Sequence, residues 1–310
     1  MSSSGMRNRG EWTEFPAGLE AINQDLKVGG STLVCMLAES MDGGKLVYSF
    51  DEELNLMVNG DLVLKRTEYI EMRDILYKGM QKRGHVIAIP EFDPYWSKIG
   101  FPKLKAGAGP KADLVFLNDA GDQIGLSVKS LISKKPTLLN PGGATTRIRY
   151  RISGSLPKVR SNNKAMWKQL TLDFHEICHE TFSANLTAIS EDLPSELGVA
   201  VGEYFTGGPS KLSELSDGTR AELKKLLLAS ASGMVPSIPY DFSRPVTKIL
   251  LVMSDWKLDL IDLDDEDSIS SFVDFFRFEQ PSTSKYGDYG EIFEHKGDYF
   301  IDFVLQIRMI

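Results

Sequence analysis

The sequence predicts a mixed α/β (α+β) fold, a central mixed β-sheet flanked by helices. Two observations carry that prediction. Short apolar strands bounded by turn residues recur between residues 32 and 153 and again between 246 and 308. Stretches with helical apolar spacing separate them, and no internal repeat or long low-complexity segment points to a solenoid.

A first helix is expected from Glu11 to Lys27, where Trp12, Phe15, Leu19, Ile22 and Leu26 recur at helical spacing as one buried stripe. Pro16 suits that helix only within its first turn. Strands are expected at 32–38, 45–50 and 54–58, then a helix from about Glu68 to Gln81 and a strand from His85 to Ile89, stopped by Pro90. Ala112 to Leu117 and Gln123 to Ser130 read as two apolar strands. Asn118-Asp119-Ala120-Gly121-Asp122 between them has turn chemistry, which makes a hairpin.

Thr146 to Ser153 reads TRIRYRIS. Its alternation sends Arg147, Arg149 and Arg151 to one face and Ile148, Tyr150 and Ile152 to the other. A long helix is expected from about Asn163 to Leu186, with Trp167 in the core, and two more near 194–205 and 217–230. Val246 to Met253 and Trp256 to Ile261 read as strands, followed by the acidic turn LDDED and a short helix from Ser268 to Phe276. Strands around Gly290 to Glu294 and Tyr299 to Arg308 close the chain.

A chain of 310 residues fits one large domain or two ordinary ones. The expected organisation is a single domain over 1–310, with a core at about 85–190 and a helical insertion at about 190–245. Hydrophobic residues make up 42% and charged residues 25%, the balance of a soluble globular protein. No apolar run approaches the roughly 20 residues that cross a bilayer. The opening MSSSGMRNRGEW lacks the apolar core of a secretory signal. Cys35 and Cys178 lie far apart and read as reduced thiols of a cytoplasmic protein.

The net charge of −8, taken alone, argues against a nucleic-acid partner. Its distribution argues for one. Residues 98 to 168 hold 14 Lys and Arg against three acids, a local balance of +11 against −19 for the rest. A polyanion responds to the field at the docking face more than to the total. Three arginines on one strand face also repel each other unless an anion lies across them, and arginine supplies many phosphate and base-edge contacts.

The apolar strand Ile124-Gly125-Leu126-Ser127-Val128 runs straight into Lys129. A lysine there needs a partner. The hairpin sets Asp113 opposite about residues 127 to 129, so the carboxylate and the ammonium converge at one end of the sheet. That constellation suits hydrolysis of a phosphodiester. Asp113 would hold a divalent metal, with the backbone carbonyl of Val128 as a second ligand; a hard cation such as Mg²⁺ prefers oxygen donors. Lys129 would orient the attacking water or meet charge building on the phosphate. The plainer alternative is an ordinary ion pair in a surface hairpin.

Pro110-x-x-Asp113 followed by Ser127-Val128-Lys129 resembles the PD-(D/E)XK nuclease signature, with Ser127 where a second acid usually stands. The wider text resembles the HpaII-type restriction endonucleases. The blocks are Asn8-Arg9-Gly10-Glu11-Trp12-Thr13-Glu14, then SVKS with Pro136-Thr137-Leu138-Leu139-Asn140 and Ala144-Thr145, then Pro281-Ser282-Thr283-Ser284 and Leu305-Gln306-Ile307-Arg308. They run in order along the whole chain, and residues 155–245 are only loosely similar. The resemblance implies a sheet of PD-(D/E)XK nuclease type in a restriction-endonuclease-like domain. It implies a type II restriction endonuclease that cuts both DNA strands with Mg²⁺ at a short site such as CCGG. Asp113 and Lys129 would be catalytic, and Ser127 leaves the metal site one acid short. Glu14, or Glu11, on the first helix is the candidate to supply that charge, although acids also favour a helix N-terminus for its dipole alone.

His175-Glu176-Ile177-Cys178-His179 is a literal HExxH, the zinc-protease pattern when it lies on a helix. The neighbouring Asp173 and Glu180 and the basic segment 98–168 argue against that use. A third possibility is a nuclease fold that binds DNA without cutting it, for which Ser127 speaks.

For a site rich in G and C, Arg147, Arg149 and Arg151 are the first candidates for base contacts. Asn140, Thr145 and Thr146 come second. Lys134, Lys135, Lys158, Arg160 and Lys164 suit phosphates. Palindromic sites favour a homodimer on double-stranded DNA, and the resemblance implies a cognate DNA methyltransferase.

Overall fold

The computed structural model describes residues 6–82, 84, 86–104, 112–132, 136–139, 146–157, 164–231, 246–281 and 289–310. The chain divides into two compact units: Met1–Lys135 with Val246–Asp262, and Pro136–Pro245 with Leu263–Ile310.

The first unit opens with β1 (Arg7–Asn8) and α1 (Arg9–Asn23). The Asn8 side chain accepts the Glu11 N–H at 2.9 Å and caps α1, which therefore starts two residues before the expected Glu11. Pro16 lies beyond the first turn, inside the helix and buried, the awkward placement for a proline. The stripe is as read: Trp12, Phe15, Leu19 and Ile22 are buried and Leu26 packs partly against them. Trp12 meets Phe92 and Trp96 edge-on and donates its indole N–H to the Ile87 carbonyl at 3.1 Å.

Next come β2 (Lys27–Val28), β3 (Ser31–Glu39), β4 (Lys45–Phe50), β5 (Leu56–Val58) and β6 (Asp61–Leu64). The sequence reading lacked β6. Asn59 and Gly60, at φ 52° and 88°, form the tight turn that folds it back on β5. Then α2 (Arg66–Met80), β7 (Val86–Ile87) and a short α3 (Asp93–Lys98) precede the hairpin strands β8 (Leu114–Asn118) and β9 (Gln123–Ser130). The hairpin turn is the expected one. Asn118 Oδ1 accepts the N–H groups of Ala120 and Asp122 at 3.1 and 2.7 Å, and Gly121 takes φ 86°.

The second unit begins with β10 (Thr137–Leu139) and β11 (Arg147–Ser153), followed by α4 (Lys164–Trp167), β12 (Thr171–Ile177), α5 (Glu180–Ile189), α6 (Leu193–Thr206) and α7 (Asp217–Ala231). The long helix expected over 163–186 is therefore wrong. A strand interrupts it, because β11 pairs with β12 through Tyr150↔Phe174 and Ile152↔Leu172. The misreading has a local cause. The register shifts between Arg149↔Glu176 and Tyr150↔Phe174, leaving His175 as an extra residue. That bulge changes strand parity, so Leu172, Phe174 and Ile177 lose strict alternation and mimic helical spacing.

The chain then returns to the first unit as β13 (Lys248–Val252) and β14 (Leu258–Asp262). It ends in the second unit with α8 (Glu266–Asp274), β15 (Phe276–Glu279), β16 (Ile292–His295), β17 (Asp298–Val304) and β18 (Gln306–Met309).

In the first unit one large sheet runs in the order β14-β13-β9-β8-β3-β4-β5-β6, with β2 paired to β3. It is mixed: β13 runs parallel to β9, and the other pairings are antiparallel. Flanked by β8 and β13, β9 is central, which explains its apolar text. Helix α1 approaches this sheet at Gly18, where a Cβ would lie 2.2 Å from Met36 Sδ and 3.2 Å from a Leu114 methyl.

The second unit holds a four-stranded sheet, β12-β11-β17-β16, and a three-stranded sheet, β10-β18-β15. Ile148, Tyr150, Ile301 and Phe303 form the buried face of the larger one. Helix α6 closes on it through Gly198 and Gly202, where added Cβ atoms would meet Phe174 at 2.1 Å and Tyr150 at 2.7 Å. Trp167 lies against Phe303 in this core, as expected for that residue. The plan is the mixed α+β architecture read from the sequence. Among the described residues no helix is long and apolar enough to cross a membrane.

Candidate active site

The pairing Leu114↔Leu126 extends to set Asp113 opposite Ser127, at the end where β8 stops and β9 continues. Asp113 Oδ2 accepts two hydrogen bonds, from the Val128 backbone N–H at 2.7 Å and the Ser127 hydroxyl at 3.0 Å. Lys129 Nζ donates to Ser127 Oγ at 3.3 Å. Lysine and carboxylate are thus linked through the serine hydroxyl. Sequence reasoning missed that bridge and treated Ser127 mainly as a missing charge. Ser127 is buried, whereas Lys129 is half-buried.

The strand geometry also groups oxygen donors. A residue's N–H and C=O leave a β-strand toward the same neighbour. Val128 aims its N–H at Asp113, so its carbonyl faces the same edge. Among the described residues both donors to Asp113 fall on Oδ2. A carboxylate oxygen and a backbone carbonyl therefore share one strand edge, a donor set that suits a hard cation. Among the described residues no group of three or more His, Cys, Asp and Glu side chains could hold a metal. Glu14 is half-buried on α1, one turn before Gly18, the point where that helix reaches Leu114 beside Asp113. Pro110, Lys134, Lys135, Asn140 and Thr145 lie outside the described residues, as do Lys158 and Arg160.

The arginine strand belongs to the second unit. Its alternation is the expected one, with Ile148, Tyr150 and Ile152 buried. The anion expected across the arginines is, in this structure, carboxylate. Arg149 forks onto Asp302, Nε to Oδ1 at 2.9 Å and Nη2 to Oδ2 at 3.2 Å, and its Nη1 donates to Glu176 Oε1 at 3.0 Å. Arg147 lies 3.6 Å from Asp302 Oδ2, and Arg151 3.6 Å from Asp173 Oδ2. The Arg149 guanidinium sits 5.1 Å over the Phe293 ring. Its hydrogen bond to Asp302 raises its pKa further, so it stays charged at any working pH. Alternation in Asp298–Val304 could have placed Asp302 on one sheet face, but nothing in the sequence joined that face to the arginines.

Thr146 is buried, with its hydroxyl donated to the Leu305 carbonyl at 3.0 Å, so the described contact is structural. Gln306 is likewise buried, and Arg308 pairs with Glu279 at 3.0 Å. The HExxH residues share no helical face. His175, Glu176 and Ile177 lie on β12, and His179 caps α5 by accepting the Phe182 N–H at 3.2 Å. Cys178 is half-buried beside them, and burial pushes its thiol up to about 12.

No solved structure matches the chain. The type II restriction enzyme HpaII of Haemophilus parainfluenzae is 25% identical over 361 aligned positions, which cover 98% of this chain and 98% of that one. Residues 8–222 match the HpaII restriction endonuclease family, and the chain belongs to that family.

Proposed function

We propose that this protein is a Mg²⁺-dependent type II restriction endonuclease that hydrolyses both strands of DNA at a short site such as CCGG. The observation that carries the proposal is the Asp113–Ser127–Val128–Lys129 cluster at the open end of β8 and β9. Asp113, the Val128 carbonyl and Glu14 would hold the ion. When bound there, a hard divalent cation polarises a phosphoryl oxygen and lowers the pKa of a coordinated water.

The remaining work falls to the chain. Lys129 brings positive charge and N–H donors to the same edge, where they orient a water or meet the charge that builds on the phosphate. Ser127 holds the ammonium and carboxylate in register through its hydroxyl. Arg147, Arg149 and Arg151 read base edges, and Lys134 and Lys135 meet phosphates. A palindromic site is matched by a homodimer on the DNA, and a cognate methyltransferase protects the host's own copies of the site.

The test is Asp113→Asn. Gel-shift binding to duplex DNA should persist while cleavage drops by at least about a hundredfold. Cleavage at the wild-type rate would remove Asp113 from the site.

A further inference from the structure

As a DNA reader, the arginine strand so far has only a general role. The geometry around Arg149 carries that role further. On the face of the four-stranded sheet away from α6, three arginines meet three carboxylates: Arg147 and Arg149 with Asp302, Arg149 with Glu176, and Arg151 with Asp173. A balanced set of this kind is a poor phosphate site, because the carboxylates repel the phosphate oxygens. It suits a base pair, whose edge presents acceptors and donors side by side.

Arg149 is the best fixed of the three. Buried Asp302 takes its Nε and Nη2, the Phe293 ring lies beneath it, and Glu176 accepts from Nη1. A guanidinium carries more N–H donors than these bonds use. Glu176, on the neighbouring strand, is half-exposed. Arg149 and Glu176 line an open hollow of about 530 Å³ together with Ile177 and Cys178 and with Glu180, Ser183 and Ala184 of α5. Donor and acceptor are therefore adjacent, oriented and accessible.

We infer that Arg149 and Glu176 act as a paired reader of one G·C base pair. Arg149 donates to guanine O6 or N7, and Glu176 accepts from the exocyclic amino group of cytosine. Asp302 acts through Arg149 by holding its guanidinium flat and in place. The inference rests on the DNA-cleaving reading of the family, and its test does not require cleavage.

The full-length protein, without divalent metal, is used to select duplexes from a randomised pool. The wild type should enrich a motif containing G·C pairs. Glu176→Ala should lose about tenfold of the discrimination at one position of that motif. The cognate duplex carrying N4-methylcytosine at that position, which removes one amino hydrogen, should bind the wild type more weakly and Glu176→Ala no differently. The thermal midpoint of the variant checks that it is folded, and Glu176→Gln, which keeps an acceptor oxygen, should recover part of the preference. Unchanged discrimination in folded Glu176→Ala would overturn the inference, as would a wild type with no G·C preference. A wild type that selects the motif but cuts no DNA would sink the nuclease reading and leave the base reader standing.

Discussion

Ser127 donates its hydroxyl to Asp113 Oδ2 at 3.0 Å and accepts from Lys129 Nζ at 3.3 Å, so one buried hydroxyl joins the acid at the head of β8 to the lysine at the end of β9. This answers why a lysine can end so apolar a strand: β9 is central in its sheet, yet Lys129 lies where β8 has ended and polar groups gather. Ser127→Ala leaves both half-buried charged groups short of a partner. It should lower stability by about 1–2 kcal/mol and slow cleavage more than it weakens DNA binding. Chemical denaturation and paired cleavage and gel-shift assays measure the two effects. A variant with unchanged cleavage would make the bridge incidental.

Asp302 is buried between two guanidinium groups. Asp302→Asn removes the charge that both arginines face and should destabilise the fold by about 2 kcal/mol, less than a fully buried pair because the arginines are partly exposed. Urea unfolding reads this directly. A loss under about 0.5 kcal/mol would show that the fork contributes little net energy.

Burial pushes the Cys178 thiol up to about 12 from an ordinary 9.0, and the nearby Asp302 carboxylate acts in the same direction. A raised pKa keeps the proton on sulfur, so the reactive thiolate stays scarce until the pH approaches that value. Iodoacetamide at pH 8 should therefore label Cys178 far more slowly in the native protein than in denaturant, as followed by peptide mass spectrometry. Equal rates would contradict the buried environment described for it.

Local chemistry was legible in the sequence. The stripe from Trp12 to Ile22, the turn from Asn118 to Asp122, the extent of β9 and the alternation of β11 all follow from spacing within a few residues. Asp113 and Ser127 face each other because the turn between them sets the register. Two kinds of feature were hidden. The bulge at His175 broke the period of β12 and turned a strand into an apparent helix, and with it an apparent zinc motif. The partner of Arg149 is 153 positions away, and only the pairing of β11 with β17 brings Asp302 beside it. Periodicity reports which face a side chain takes, not which distant strand lies next to it.

The most direct measurement is a digest of unmethylated phage DNA with Mg²⁺, run beside Lys129→Ala and beside wild type in EDTA. Discrete fragments should come from the wild type with Mg²⁺ alone, and their sizes name the site. Intact DNA in every lane, or the same fragments from Lys129→Ala, would contradict a metal-dependent nuclease built on Asp113 and Lys129.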